Sequence, residues 1–498
     1  MPQNKQRLLT KSLYVGGLQC EKYLWLAFNK PEALPRNDKA TQHRFDEGKA
    51  VGDLAKNLFP DGVEIGELDS IKNDKRSKEL IKERRVLFEA GFIHKNGKCY
   101  ARADVLVPVG KDEWDIYEVK SATSVKEDYF EDVSFQKYCY ESIGLKIRKC
   151  VILHVNNQYI RKGKINPKDF FVEADITEEV SDIMPLVNGK IDRLFEVIAK
   201  KECPEITSGN YCKDPFNVHF DDKFLTEHPS DIFDLYRGGK VALELFNSGV
   251  LEIKDIPEYH KLNVKQKIQR KTSVEGKHHI AHKELNVFIK SLKYPLYFLD
   301  FESYNTAIPL YDDLKPYQQV PFQFSLHVAG KKGKPEHHSF IAEGAGDPRQ
   351  AFLEELLKVM GTEGSVVVYN QSFEQGVLAN LADLYPKHSK AISGIIARMS
   401  DLLVPFREFS YYHPEQKGSA SIKHVLPVLT GLKYDDLEIS AGDEASLSYL
   451  YMIRGDGEGN KASPQEAKKI KNDLEEYCGL DTHGMIIILD KLKELVEK

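Results

Sequence analysis

Short apolar runs that alternate with stretches of helical periodicity constrain the fold of this chain more than any other feature. Runs typical of β-strands lie at residues 99–107, 114–119, 149–155, 297–301, 322–328 and 366–369. Helical periodicity lies at residues 45–58, 77–90, 181–200, 348–360, 375–384, 468–478 and 482–497. Strands that alternate with helices pack as helices on sheets. The pattern therefore predicts an α/β fold in both halves of the chain.

The length of 498 residues is too great for one ordinary domain. Prolines and glycines punctuate a polar stretch after residue 205, and a segment rich in lysine follows it. We therefore predict a first domain at residues 1–205, an irregular and basic connector at 206–285 and a second domain at 286–498. Hydrophobic residues, at 41% of the chain, are numerous enough to fill two cores.

The N-terminal segment MPQNKQRLLTKSLYVGGL lacks the apolar stretch of roughly 7 to 15 residues that marks a secretory signal. No apolar run approaches the roughly 20 residues that a membrane helix needs. The seven cysteines are scattered, which argues against a disulfide framework and fits a reducing compartment. We expect a cytoplasmic protein without a membrane partner.

The net charge of −6 excludes a global electropositive field, so nucleic acid could bind only through local basic patches. The most basic segment is 260–283, in which Lys265, Lys267, Arg270 and Lys271 are the predicted phosphate contacts. The alternative interpretation of this segment is a solvated connector without a ligand.

Two carboxylates end the apolar run of the segment YPLYFLDFES, which covers residues 294–303. Because side chains alternate along a strand, Asp300 and Glu302 project from the same face. Hard cations such as Mg²⁺ and Mn²⁺ prefer carboxylate oxygens, and a site for two cations needs several carboxylates from different elements. The segment therefore predicts one part of a metal site.

Further acids follow in an order that completes such a site. The run at 366–369 leads into NQSFE, which places Glu374 at the start of a predicted helix. Near the C-terminus, the spacing of four residues places Tyr477 and Asp481 on one face of a helix. Asp401, in the segment MSDLLVPF, is the alternative to Glu374 as the third carboxylate.

These motifs, in this order, resemble those of the DEDD exonuclease superfamily in its tyrosine subtype, which has an RNase H-like fold. The resemblance implies that Asp300, Glu302, Glu374 and Asp481 hold two Mg²⁺ or Mn²⁺ ions. It also implies that Tyr477 helps to position the attacking water. The superfamily usually has aspartate where this chain has Glu374, which is why Asp401 stays an alternative.

A second arrangement lies in the N-terminal half, where Asp104 precedes the strand-like run that ends in Glu118 and Lys120. Gln136 and Tyr140 follow on one face of a predicted helix. A strand that ends in Glu-Val-Lys is also common as a plain surface edge. The set resembles PD-(D/E)XK nucleases of the RecB and Cas4 type, with their restriction-endonuclease-like fold. This implies a metal at Asp104 and Glu118, assistance to the nucleophile by Lys120, and nucleic-acid contacts at Gln136 and Tyr140.

The N-terminal segment SLYVGGLQCEKYLWL also resembles Cas4 proteins, in which a cysteine at the place of Cys20 helps to bind an iron–sulfur cluster. In those proteins three C-terminal cysteines complete the cluster. Here Cys203 and Cys212 are present, but residues 214–219, where a further ligand would be expected, contain no cysteine. Since such clusters usually have four thiolates, we expect these cysteines to pack rather than to bind iron. A further departure is Gly52, which stands where RecB-type enzymes often carry a metal-binding histidine.

The two resemblances cover roughly residues 8–220 and 285–490, and their combination resembles a bacterial family that fuses a Cas4-like module to a DEDD exonuclease-like domain. We therefore predict 3′–5′ hydrolysis of DNA or RNA at single-stranded 3′ ends. Since the chain has no Gly-x-x-x-x-Gly-Lys-Ser/Thr loop for ATP, unwinding of a duplex would need a partner helicase. The alternative is a nucleic-acid-binding or scaffold protein in which one or both nuclease folds are catalytically degenerate.

Overall fold

The computed structural model describes residues 7–34, 38–66, 69–204, 231–434, 437–455 and 460–497. The chain divides into two compact units. The first unit comprises residues 1–227 and 306–318, and the second comprises 228–305 and 319–498. Each unit has its own hydrophobic cores and β-sheets. The α/β class predicted from the sequence is therefore confirmed.

The first unit contains, within its described residues, a seven-stranded sheet in the order β2-β3-β4-β5-β6-β7, with β1 beside β4. Its strands are β1 Leu9–Thr10, β2 Val63–Glu64, β3 Leu87–Ile93, β4 Cys99–Val109, β5 Glu113–Lys120, β6 Lys146–Val155 and β7 Phe171–Asp175. Strands β3, β4 and β5 are antiparallel, whereas β5 and β6 are parallel. The described α-helices of this unit are Lys11–Gln19, Glu21–Asn29, Lys39–Lys56, Ser70–Leu80, Glu127–Ser142, Pro167–Phe170 and Thr177–Ile198.

The sequence prediction of a helix at 77–90 is wrong for its second half. The helix ends at Leu80, and strand β3 begins at Leu87. Strand β3 pairs with β4, and Leu87, Ala90 and Phe92 are completely buried in the core of the first unit. Pairing with a neighbouring strand thus overrides the local helical periodicity.

The second unit has a five-stranded sheet in the order β11-β10-β9-β12-β13 and a small sheet of β8 and β14. Its strands are β8 His279–Ile280, β9 Leu296–Tyr304, β10 Val320–Ala329, β11 Glu336–Ile341, β12 Ser365–Val368, β13 Met399–Asp401 and β14 Tyr411–Tyr412. Strands β9, β10 and β11 are antiparallel, whereas β12 runs parallel to both β9 and β13. The described α-helices are Gly239–Asn247, Val264–Glu275, His282–Ser291, Arg349–Val359, Gln371–Leu384, Ser389–Ile396, Val404–Arg407, Ile422–Thr430, Gly442–Arg454 and Pro464–Glu497.

The helix Pro464–Glu497, called the C-terminal helix below, packs on strands β9 and β10. The sequence predicted two helices, at 468–478 and 482–497, but the helix is continuous. Its buried apolar residues continue across the predicted break, because Leu474, Cys478 and Met485 all face the interior. The continuous buried stripe keeps Tyr477 and Asp481 on one rigid element.

In place of an irregular connector, residues 231–285 form part of the second unit. Two α-helices, Gly239–Asn247 and Val264–Glu275, lie there beside a small apolar cluster that includes Ile232 and Leu245. The buried face of the second helix is polar, and it contains Gln266, Gln269 and Thr272. Since apolar periodicity is the main sequence signal for a helix, such a polar buried face conceals it. Residues 206–230 of the predicted connector lie outside the described residues.

No helix within the described parts of the chain is both long enough and apolar enough to span a membrane.

Candidate active site

Four acidic side chains from three elements of the second unit form its candidate site. Strand β9 carries Asp300 and Glu302, the helix Gln371–Leu384 carries Glu374, and the C-terminal helix carries Asp481. Glu302, Glu374 and Asp481 are 7%, 1% and 8% exposed, and Asp300 is half-buried. Since carboxylates are almost never buried unless they are paired or bind a cation, this arrangement is a candidate metal site.

The acids of strand β9 lie at the centre of the sheet. Asp300 is opposite Ser325 and Glu302 is opposite Gln323 on strand β10. Possible ligand atoms of Asp300, Glu302 and Cys478 all lie within 4.8 Å of one another. The backbone thus brings two carboxylates and a thiol close enough to share one cation.

The electrostatics of the site favour a bound cation. Burial raises the pKa values of Asp300, Glu302 and Glu374 well above their ordinary range, and repulsion from neighbouring carboxylates, Asp481 among them, raises these pKa values further. Oε2 of Glu374 is buried and has no hydrogen-bond partner within the described structure. A divalent cation would offset the repulsion between the carboxylates, and it would give Oε2 of Glu374 a partner. The residues of the second unit therefore fit a metal.

Asp481 is held by a tyrosine that the sequence analysis missed. The Tyr434 hydroxyl donates a hydrogen bond to Oδ1 of Asp481. Burial raises the pKa of Asp481 to about 6, although hydrogen bonds from Tyr434 and Tyr477 and the charge of Lys423 oppose this rise. The predicted residue Tyr477 is 4% exposed, and it interacts with Asp481.

Lys423 supplies positive charge to the site. It lies on the helix Ile422–Thr430, and its charge lowers the pKa values of both Glu302 and Asp481 against the larger effect of burial. Its ammonium group lies 5.4 Å from the ring centre of Tyr477. No spacing in the sequence indicates that Lys423 or Tyr434 belongs to the site, because both lie on other elements than the four acids.

Asp401, the alternative third carboxylate, stabilises the turn before Glu374. Its Oδ1 accepts hydrogen bonds from the backbone N–H groups of Asn370 and Leu403, both at 3.0 Å. Asn370 has a φ of 82°, which a non-glycine residue adopts only at a special turn. Asp401 is thus engaged with the backbone, whereas Glu374 offers an unpartnered oxygen. This difference favours Glu374 as the ligand.

In the first unit, Asp104, Glu118 and Lys120 line a cavity of about 690 Å³. Asp104 lies on strand β4, and its Oδ2 accepts a hydrogen bond from the Val119 backbone N–H at 2.7 Å. Glu118 and Lys120 lie on the adjacent strand β5. The three residues predicted as one site therefore do lie together.

The carboxylate of Glu118 is already satisfied by side chains. It is 2% exposed and accepts hydrogen bonds from Lys11 at 2.7 Å, Lys120 at 2.8 Å and Gln136 at 2.8 Å. Lys120 also donates to Asp132 at 2.7 Å. A cation at Glu118 would have to displace these donors, two of which are positively charged. The predicted metal ligand thus fits a metal poorly, and the sequence analysis missed Lys11 and Asp132.

Gln136 and Tyr140, the predicted nucleic-acid contacts, are both completely buried. Gln136 donates to Glu118 and Asp132, so it holds two carboxylates in place. The Tyr140 hydroxyl donates to the Ala90 carbonyl and accepts a hydrogen bond from the Ala103 N–H at 2.8 Å. Neither side chain lies at a surface that nucleic acid could reach, and both link a helix to the sheet.

We expect Tyr140→Phe to lower the free energy of unfolding by about 1–3 kcal/mol, because it leaves a buried backbone N–H and C=O without a partner. Unfolding in urea checks this value. Tyr138→Phe is the matched control, since its hydroxyl donates to Asn188 at the exposed surface. We expect that variant to change stability by less than about 0.5 kcal/mol. Equal stability of the two variants would contradict the structural role of Tyr140.

The four basic residues that were predicted to contact phosphate all lie on the helix Val264–Glu275. Lys265 donates to the Arg407 carbonyl and to Glu408, both at 2.8 Å. Arg270 donates to the Ile256 carbonyl. Lys267 and Lys271 are exposed. Two of the four predicted phosphate contacts, Lys265 and Arg270, therefore already have hydrogen-bond partners within the second unit.

The cysteines considered for a cluster have structural surroundings where they are described. Sγ of Cys20 accepts a hydrogen bond from the Tyr23 N–H at 3.2 Å and thereby caps the helix Glu21–Asn29. Cys203 packs against the core of the first unit. Cys212 lies outside the described residues.

Comparisons with known proteins match parts of this chain. Residues 297–421 match a family described as a domain of unknown function, DUF2779. An uncharacterised protein of Mycoplasma genitalium, MG366, is 25% identical over 239 residues, which cover 44% of this chain and 35% of that protein. An uncharacterised protein of Ureaplasma parvum, UU173, is 27% identical over 237 residues, or 43% of this chain and 33% of that protein. The chain thus spans about a third of the length of these relatives, and the DUF2779 match contains Asp300, Glu302 and Glu374.

Proposed function

We propose that the second unit is an exonuclease that hydrolyses single-stranded DNA or RNA from its 3′ end with two Mg²⁺ or Mn²⁺ ions. The observation that carries this proposal is the convergence of four carboxylates from three elements, three of them buried and one half-buried. Without a cation these acids repel one another and leave Glu374 unsatisfied. Phosphodiester hydrolysis by two cations uses this type of ligand set.

The topology of the second unit supports an RNase H-like fold of the DEDD type. Strand β9 carries the Asp-x-Glu pair at the centre of the sheet, where an antiparallel and a parallel neighbour flank it. Glu374 lies on the helix that follows strand β12, and Asp481 lies on the C-terminal helix. This is the succession of elements that the resemblance implies. For the first unit we likewise propose a PD-(D/E)XK fold, since Asp104 and Glu118 lie on adjacent strands.

The residues of the second unit have distinct roles in this proposal. Asp300, Glu302, Glu374 and Asp481 would hold the cations, which would lower the pKa of the attacking water and stabilise charge on the reacting oxygens. Tyr477 contacts Asp481 and orients the water beside it. Lys423 offsets the negative charge that remains near Glu302 and Asp481.

The activity of the wild-type protein on 5′-labelled single-stranded DNA and RNA, with Mg²⁺ or Mn²⁺, tests this proposal. We expect a ladder of products that shortens from the 3′ end. A circular single strand should resist, because an exonuclease requires an end. Asp104→Asn, in the first unit, should leave the ladder unchanged. Absence of cleavage by the folded, metal-loaded protein would contradict the proposal, and so would cleavage of the circle.

For the first unit, one observation favours the alternative of a degenerate nuclease fold. Lys11, Lys120 and Gln136 together satisfy the carboxylate of Glu118. We therefore propose that this unit has a binding or structural role and leaves the hydrolysis to the second unit.

A further inference from the structure

Cys478 places a thiol among the carboxylates of the proposed exonuclease site. It is completely buried on the C-terminal helix, between Tyr477 and Asp481 in the chain. Its Sγ donates a hydrogen bond to Oδ2 of Asp300 at 3.3 Å. Catalysis by Mg²⁺ has no use for this sulfur, because Mg²⁺ prefers oxygen ligands.

Carboxylates together with a thiol suit another class of cation. Zn²⁺ binds both thiolate sulfur and carboxylate oxygen, usually with four ligands. Asp300, Glu302 and Cys478 offer three ligand atoms within 4.8 Å of one another. The buried Oε2 of Glu374 has no hydrogen-bond partner within the described structure, and the charges of Glu374 and Asp300 interact. This buried, unpartnered oxygen is a second and independent indication that the site holds a cation.

We propose that Zn²⁺ binds to Asp300, Glu302 and Cys478 and thereby inhibits the exonuclease. Coordination releases the thiol proton to solvent. The bound Zn²⁺ engages Asp300 and Glu302, which the proposed catalysis requires as ligands of Mg²⁺ or Mn²⁺, and so keeps the catalytic cation from them. The inhibitory role rests on the proposed function, whereas the binding site itself does not.

Cd²⁺ is the direct probe of this site, because a Cd²⁺–thiolate bond produces a charge-transfer absorption in the ultraviolet. We expect metal-free, full-length protein to show this absorption on addition of Cd²⁺, and we expect Cys478→Ser to lack one thiolate equivalent of it. Cys139→Ser is the matched control, since Cys139 is equally buried but lies in the first unit. That variant should retain the full absorption. An identical spectrum for the wild type and Cys478→Ser would overturn the proposal.

Competition with a chromophoric chelator measures the affinity for Zn²⁺. We expect Cys478→Ser, and Cys478→Ala as a second variant, to bind Zn²⁺ at least about tenfold more weakly, whereas the affinity for Mn²⁺ should change by less than about threefold. Equal losses for Zn²⁺ and Mn²⁺ would overturn the selective role of the thiol.

The concentration of Zn²⁺ that halves exonuclease activity should rise at least about tenfold in Cys478→Ser, relative to the activity of that variant without Zn²⁺. If the enzyme is active but Zn²⁺ inhibits both proteins equally, the inference fails and the proposed function stands. If no nuclease activity exists but the Cd²⁺–thiolate absorption depends on Cys478, the metal site stands and the proposed function fails.

Discussion

Replacing Asp300 with asparagine is expected to lower the exonuclease turnover about 10³-fold, which corresponds to about 4 kcal/mol of transition-state stabilisation. Asparagine keeps the size of the side chain and one oxygen, but it removes the charge that binds the cations. Single-turnover cleavage of a labelled strand with saturating Mn²⁺ measures this loss. Turnover within tenfold of the wild-type value would contradict the role of Asp300 as a metal ligand.

The same substitution is expected to stabilise the metal-free protein by about 1–2 kcal/mol, because it removes one of several buried charges that repel one another. Urea unfolding in the presence of a chelator measures this gain. The matched control is Asp490→Asn, since Asp490 is an exposed residue of the C-terminal helix, 2.8 Å from Lys493. We expect this control to change neither turnover nor stability appreciably. A loss of activity together with a loss of stability in Asp300→Asn would indicate damage to the fold instead.

The second large effect concerns the pH dependence of stability without metal. Asp481 has a folded-state pKa of about 6, above its ordinary value of 3.8, mainly because it is buried. Between these two values the folded state binds more protons than the unfolded state, so stability falls as the pH rises. The full difference between the two pKa values corresponds to roughly 3 kcal/mol in the free energy of unfolding. Asparagine cannot lose a proton in this way. We therefore expect the free energy of unfolding of Asp481→Asn to exceed that of the wild type by an amount that rises to that value between about pH 4 and pH 7.

The difference in the free energy of unfolding between the wild type and Asp481→Asn separates the effect of Asp481 from that of the histidines. His327, for example, has a pKa lowered to about 4, mainly by burial, so it destabilises the fold as the pH falls below its ordinary value of 6.5. That contribution is common to the wild type and Asp481→Asn and cancels. Urea unfolding at several pH values measures the difference. A difference that does not vary with pH would contradict the raised pKa of Asp481.

The sequence predicted those parts of the site that depend on local spacing. Asp300 and Glu302 share a strand face because strands have a period of two, and Tyr477 and Asp481 share a helix face because they are four residues apart. Strand β9 forms where the apolar run predicted it. Period and spacing are properties of the chain itself, so they need no knowledge of the tertiary structure.

Residues that reach the sites from distant elements were not predictable in this way. Tyr434 bonds to Asp481 across 47 residues of sequence, and Lys11 bonds to Glu118 across 107 residues. No local sequence pattern predicts such pairs, because only the packing of distant helices and strands brings the two residues together. The same reason explains why Gln136 was predicted as a surface contact although it is buried beside Glu118.

Above all, we propose that the acids of the second unit hold two cations. The most direct test is the anomalous X-ray scattering of Mn²⁺ in crystals of the full-length protein. We expect two Mn²⁺ ions about 4 Å apart, bound by Asp300, Glu302, Glu374 and Asp481, and none at Glu118. Crystals with Mn²⁺ in solution but no ion at these four carboxylates would contradict the account.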